Sequence, residues 1–164
     1  MFIELESLFN GAIGTVAVNC EFDFSEEEYN GVFPFTTPVR LLGEIRNVAG
    51  VVTVSAKISF VLDVICDRCA EKAKLEFEIP MEHGLVSSLN NEENDDYILI
   101  EDMKLDVTEL TLEDIYLALP GKLLCKEDCK GVCAQCGANL NEGPCGCKKE
   151  IDPRFEALLD LLGE

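Results

Sequence analysis

The sequence predicts an α+β fold: an antiparallel β-sheet with a cysteine knuckle on one hairpin, two helices and a C-terminal cysteine-rich module. Three observations carry this expectation. Val52, Val54, Ala56, Ile58, Phe60, Leu62 and Val64 recur at a strict spacing of two, the period of a strand with one buried face. Cys66-Asp-Arg-Cys69 separates that run from a second alternating one, Leu75, Phe77 and Ile79. Six further cysteines lie between Cys125 and Cys147, after a stretch with helical periodicity.

The 164 residues, with 48% hydrophobic and 27% charged side chains, suit one globular domain spanning 1–164. Within it, 1–85 is expected to be mainly β, 105–120 a helix, 125–150 the cysteine module and 152–163 a C-terminal helix. Residues 1–39 hold no Lys or Arg, and SEEEYNGVFPFTTP (25–38) is expected to be a loop. Cys20, beside Val16, Val18 and Phe22, has the setting of a core residue. Val39, Leu41, Gly43 and Ile45 alternate with Arg40, Leu42, Glu44 and Arg46 as a strand, and Ala49-Gly50 marks a turn. After the strand over 52–64, CDRCAE (66–71) forms the tip of a hairpin whose second arm stops at Pro80.

NNEENDD (90–96) is a solvated acidic loop; it lacks the ligand spacing and central Gly of a calcium-binding EF-hand. Leu112, Ile115, Tyr116 and Leu119 then form one helical stripe, with Thr111 as N-cap and Pro120-Gly121 as terminator. Asp152-Pro153 starts the last helix, whose stripe is Phe155, Leu158, Leu159 and Leu162. Leu112, Ile115, Leu119, Phe155, Leu158 and Leu159 are expected to be buried against Val54, Ile58, Phe60 or Leu62. No apolar run reaches membrane-spanning length, and MFIELESLFNG has neither a basic n-region nor a small-residue cleavage site. The expectation is a cytoplasmic chain without a membrane partner.

In a reducing cytosol, nine cysteines point to metal before disulfides. A C-x2-C turn sets two thiolates on one side, close enough to share a tetrahedral ion. Cys133 and Cys136 form such a turn, followed by Gly137, and Cys145-Gly-Cys147 closes a local site. Cys125 and Cys129 are left to complete a long-range site with Cys66 and Cys69, stapling the module to the sheet. Two structural zinc ions are thereby expected, with Cys20 left over. Ferredoxin spacings are absent, and Cys66/Cys69 lie in a hairpin, away from the strand-to-helix junction of a thioredoxin-like redox pair.

No catalytic set emerges. His83 is the single histidine, and the chain has no P-loop, G-x-G-x-x-G or G-x-S-x-G. A four-cysteine zinc is coordinatively closed. The expectation is a non-enzyme without a small-molecule substrate.

The formal charge is −19, which opposes indiscriminate nucleic-acid binding. Of thirteen Lys and Arg residues, nine flank the cysteines: Arg68, Lys72, Lys74, Lys122, Lys126, Lys130, Lys148, Lys149 and Arg154. Two roles suit them. They compensate metal-bound thiolates, or they form a basic lobe that touches RNA phosphates, with Arg68, Lys122, Lys126, Lys130, Lys148 and Lys149 as the contact set.

Cys66-Asp-Arg-Cys69, the helix end Leu117-Ala-Leu-Pro120, "CKEDCKGVCAQCGANLN" followed by Cys145-x-Cys147, and "IDPRFEALLDLL" (151–162) together resemble the YceD family, the large ribosomal RNA subunit accumulation proteins. The resemblance implies a non-catalytic role in 23S rRNA accumulation and large-subunit assembly, with rRNA or a pre-large-subunit particle as partner. An acidic escort that covers a basic large-subunit ribosomal protein is the alternative, because the net charge is so negative.

Overall fold

The computed structural model describes residues 1–87 and 97–147. Its elements run β1 (Phe2–Glu4), α1 (Glu6–Phe9), β2 (Thr15–Phe22), β3 (Val39–Val48), β4 (Val51–Ile65), β5 (Lys72–Val86), β6 (Tyr97–Leu99), a 3-10 turn (Glu101–Met103), β7 (Lys104–Asp106) and α2 (Val107–Ala118). Strands β2 to β6 form a five-stranded sheet in sequence order, and β1 pairs with β7 in a separate ribbon.

The alternation along β4 becomes burial directly. Val52, Val54, Ile58, Phe60, Leu62 and Val64 face the core, while Thr53, Ser55 and Lys57 are exposed. Ala49 (φ 54°) and Gly50 (φ 89°) both take left-handed backbone, the turn that matches strand twist in a two-residue hairpin. They set Val48 opposite Val51, and hence Ile45 opposite Val54 and Leu41 opposite Ile58. Between β4 and β5, Phe60 pairs with Phe77 and Leu62 with Leu75. Rings of Phe22, Phe24, Phe35, Phe60 and Phe77 follow one another at centroid separations of 5.7, 5.9, 6.1 and 5.2 Å. Cys20 is buried in this core, whereas Cys66, Cys69 and Cys129 form a separate buried cluster.

Several expectations need correction. The sheet is mixed, not purely antiparallel, because β6 pairs parallel to β5 through Gly84–Tyr97, Leu85–Ile98 and Val86–Leu99. Side-chain alternation has the same period in either direction, so it could not reveal this. Pro80 does not stop the second arm: β5 continues to Val86. At Pro80 the strand has a described neighbour on one side only, Lys57 of β4, so the missing N–H can face an open edge. Ahead of the 25–38 segment, the N-terminal residues supply β1, α1 and β2.

Helix α2 begins ahead of Thr111, the expected cap. Its N-cap is Asp106, not Thr111: Asp106 Oδ1 accepts from the amides of Thr108 (3.0 Å) and Glu109 (3.5 Å). Thr111 is buried inside the helix, its hydroxyl donating to the Val107 carbonyl at 2.5 Å. The shifted start rotates the buried stripe to Val107, Leu110, Thr111 and Ile115, and leaves Leu112 and Leu119 half-buried against the core. The acidic loop 90–96 and the helix 152–163, with Phe155, Leu158 and Leu159, lie outside the described residues. Replacing Asp106 by Ala should cost about 1 kcal/mol, read as a lower midpoint in chemical denaturation with an unchanged m-value.

Candidate metal centres

The β4–β5 hairpin lifts Cys66 and Cys69 to its tip, between Ile65 and Lys72. The turn is closed by hydrogen bonds from the Cys66 amide to the Glu71 carbonyl (2.8 Å) and from the Ala70 amide to the Cys66 carbonyl (2.9 Å). A matching turn holds Cys133 and Cys136, where the Gly137 amide donates to the Cys133 carbonyl and the Cys133 amide to the Ala138 carbonyl, both at 2.8 Å. In each, the residue after the second cysteine is left-handed: Ala70 at φ 59° and Gly137 at φ 72°. Glycine adopts that conformation freely, whereas alanine pays for its Cβ. Ala70→Gly should therefore raise stability by about 1 kcal/mol, measured as a higher denaturation midpoint of the metal-loaded protein.

Two quartets of thiols result. Cys66, Cys69, Cys125 and Cys129 place their sulfurs within 4.8 Å of one another, as do Cys133, Cys136, Cys145 and Cys147. All are free thiols. In the first quartet the Sγ atoms of Cys66 and Cys129 are 3.8 Å apart and those of Cys69 and Cys125 3.6 Å. Tetrahedral coordination with metal–sulfur bonds of about 2.3 Å requires sulfurs roughly 3.8 Å apart. Both quartets could thus hold metal ions. The first is a buried site with Cys125 at its margin; the second alternates half-buried and exposed sulfurs.

The electrostatics within each quartet ask for a cation. Burial raises the Cys66 thiol, yet amide donation from Cys125, Arg68 and Cys69 overrides it and brings the group to about 6. Amides of Cys136 and Gln135 bring Cys133 to about 6 in the same way. Their neighbours move oppositely. Burial, and then the adjoining sulfurs, push Cys125 up to about 12, and the Cys136 sulfur followed by burial does the same to Cys147. Four thiolates at this spacing cannot coexist unless a positive ion sits among them. Metal uptake at pH 7 must then displace protons, and apparent affinity should fall as pH falls. Calorimetry of zinc uptake in buffers of different ionisation enthalpy checks this; buffer-independent heats would contradict it.

Residues around the first quartet fasten the module to the hairpin. Asp67 pairs with Leu123 twice, its amide donating to the Leu123 carbonyl (2.9 Å) and its Oδ2 accepting from the Leu123 amide (2.6 Å). Arg68 Nη1 donates to the Cys129 carbonyl at 2.7 Å, and the Arg68 carbonyl accepts from the Val132 amide at 3.2 Å. Asn141 Nδ2 lies 3.3 Å from Cys129 Sγ while its Oδ1 accepts from the Lys130 amide at 2.8 Å. Asn141 stands between Cys136 and Cys145 in sequence, so it ties the second knuckle to a sulfur of the first quartet. Spacing rules did not single out Asp67, Asn141 or Gly131; the available signal was an Asx residue inside each knuckle segment, where such side chains bond nearby backbone.

The family described as large ribosomal RNA subunit accumulation protein YceD matches residues 54–162, more than half of the chain and both quartets. The chain belongs to the YceD family. Among YceD-like relatives, the uncharacterized protein YlbN of Bacillus subtilis is 27% identical over 153 residues, covering 86% of this chain and 88% of that protein. The chloroplastic YCED homolog 1 of Arabidopsis thaliana, named a large ribosomal RNA subunit accumulation protein, is 25% identical over 148 residues, covering 72% and 46%. An uncharacterized protein of Mycobacterium tuberculosis is 34% identical over 71 residues, covering 43% and 34%. The match thus spans about a third of the mycobacterial relatives' length. No solved structure matches the chain.

In this YceD family member the quartets gather cations at one end. Arg68, Lys72 and Lys74 belong to the hairpin tip, and Lys122, Lys126 and Lys130 to the segment clasped against it; all six are exposed. Some of their charge is engaged. Lys74 lies 3.5 Å from Asp63, Lys126 lies 3.9 Å from Asp128, and Arg68 binds the Cys129 carbonyl. Lys148, Lys149 and Arg154 are outside the described residues. His83 contacts Asp114 at 2.9 Å and ties β5 to α2. Among the described residues, no helix is long and apolar enough to cross a membrane.

Proposed function

We propose that this YceD family protein supports accumulation of 23S rRNA in the cytoplasm by binding rRNA or a pre-large-subunit particle, without catalysis. Two structural zinc ions, one in each quartet, hold the contact surface together. The observation that carries the reading is the clasp itself, which brings residues 122–130 onto the hairpin tip and so collects Arg68, Lys72, Lys122, Lys126 and Lys130 on one lobe of a −19 protein. Cations so placed, interleaved with Asp67, Glu71, Glu127 and Asp128, can meet phosphates one by one while the acidic surface repels nonspecific nucleic acid. The process comes from the family description. Closed four-thiolate coordination favours a structural over a catalytic ion, and the single histidine is engaged with Asp114.

Charge reversal of Lys126, Lys130, Lys148 and Lys149 should leave two zinc ions per chain but fail to restore 23S rRNA in a strain depleted of the protein. The variant should also leave the pre-large-subunit fractions of a sucrose gradient. Full restoration with unchanged sedimentation would refute the contact surface.

A further inference from the structure

At the end of β5 away from the cysteines, where Gly84–Val86 pair with β6, the ribbon of β1 and β7, β6 and the first turns of α2 enclose a cleft of about 610 Å³. Its floor is apolar: Ile100, Leu105 and Leu110 lie there, each almost wholly buried. Phe2 and Leu99 also line it, yet they remain 65% and 45% exposed. Among the described residues the rim is acidic, with Glu101, Asp102, Glu109 and Glu113 all exposed, opposed by Lys104 and by the Met1 ammonium, which pairs with Asp106 at 3.1 Å. Asp106 is committed to capping α2 and to its pair with the Met1 ammonium. Among the described residues, none of the four rim acids forms an ion pair.

This combination restricts the occupant. Phosphate is repelled by the rim, so the cleft is no second RNA site. Another copy of this chain brings the same large negative charge, and its approach is opposed by like-charge repulsion. The acids do not converge within ligating distance of one another, since the groups with metal-site geometry among the described residues are the two cysteine quartets. What remains is a cation that also carries apolar surface. Phe2 and Leu99 would lose their exposure to it, and the rim would meet Lys or Arg on either side.

We propose that the cleft docks a short basic segment of a partner protein, in which Lys or Arg flank one or two large apolar side chains. The apolar residues fill the space over Ile100, Leu105 and Leu110, and the cations pair with Glu101, Glu109 and Glu113. The site is independent of RNA contact at the cysteine lobe, which lies at the other end of β5. A chain built this way can hold a basic protein and an RNA at once, each at its own pole.

Fluorescence anisotropy with the zinc-loaded full chain tests the site. The probe is a labelled synthetic peptide of about 12 residues alternating Lys and Arg around two leucines. Controls replace its leucines by serine or its cations by glutamine. The probe should bind about tenfold tighter than either control. The variant E101Q/E109Q/E113Q, and separately Phe2→Ser and Leu99→Ser, should each weaken the probe about tenfold. A charge-matched variant elsewhere, E26Q/E28Q/E76Q, should not, and every variant should bind a 23S rRNA fragment as the parent does. Equal loss in the charge-matched variant, or equal binding of the serine control, would reduce the effect to general acidity and overturn the proposal. Sedimentation showing a dimer that Phe2→Ser dissolves would assign the cleft to a second copy instead. Loss of RNA binding in the parent alone would sink the RNA reading and leave this one standing.

Discussion

Chelation of the native protein should release two zinc ions in two steps, the second quartet emptying before the first. Cys136 and Cys147 are exposed residues, whereas Cys66, Cys69 and Cys129 are buried, so a chelator should reach one site directly and the other only after opening. The structural consequence of the second step is large. Among its described residues the module has little core of its own: Leu123 and Cys129 are the buried side chains they contribute, the latter clustering with Cys66 and Cys69. Closed cysteine sites of this kind contribute on the order of 10 kcal/mol to the folding of small modules, and no alternative source of that magnitude is present in residues 122–147. Removing the first ion should therefore free the module while the aromatic core of the sheet persists. Hydrogen exchange would show it as lost protection at Asp67, Leu123 and Val132, whose amides or carbonyls form the clasp, with β4 protection retained. Clasp amides that stay protected without metal would contradict the role assigned to zinc. Cys69→Ser should reproduce the same pattern while the second quartet keeps its ion.

Gly131→Ala is expected to damage the first quartet from outside its ligand set. Gly131 has φ +75°, and a Cβ there would stand 2.8 Å from Arg68 Cγ and 2.9 Å from the Arg68 carbonyl oxygen. Neither the conformation nor the contact tolerates it. The left-handed backbone alone costs about 1–2 kcal/mol, and relieving the clash with a backbone oxygen must shift the chain two residues from the ligand Cys129. That shift also strains the Arg68–Cys129 and Val132–Arg68 hydrogen bonds. A total near 3 kcal/mol and a loss of roughly 10–100-fold in affinity at the first quartet are expected. Gly137→Ala is the matched control: its φ is +72°, but nothing lies within 4 Å of the added carbon. It should lose only the conformational part and leave the first quartet intact. Equal zinc affinities for the two variants would show that the close approach to Arg68 is unimportant.

How far the sequence was readable depends on the range of each interaction. The β4 strand was plain because its seven apolar positions share one buried face and the intervening residues do not. The division of eight cysteines into quartets followed from local knuckle geometry, and the fold brings those same two sets together. The same period-two signal was present in Val16, Val18, Cys20 and Phe22, which form β2, framed by Asn10-Gly11 and Gly14. Strand direction at β6 left no trace, since alternation is blind to it. Asp106 displaced Thr111 as the cap because the β7 strand delivers the chain to the helix one turn earlier. The clasp was illegible for a different reason. Asp67 with Leu123, and Arg68 with Gly131, meet across more than fifty residues of sequence, and no spacing rule links them.

The measurement that bears most directly on the central claim is the salt dependence of binding to a 23S rRNA fragment by the zinc-loaded chain. Each phosphate contact made by a lysine releases counterions, so log Kobs should fall linearly with log salt. Reversing Lys126, Lys130, Lys148 and Lys149 should flatten that slope by about 3 for single-stranded contacts, with zinc content and β4 protection unchanged. A slope identical in parent and variant, at equal affinity, would contradict an RNA contact through the cysteine-held lobe.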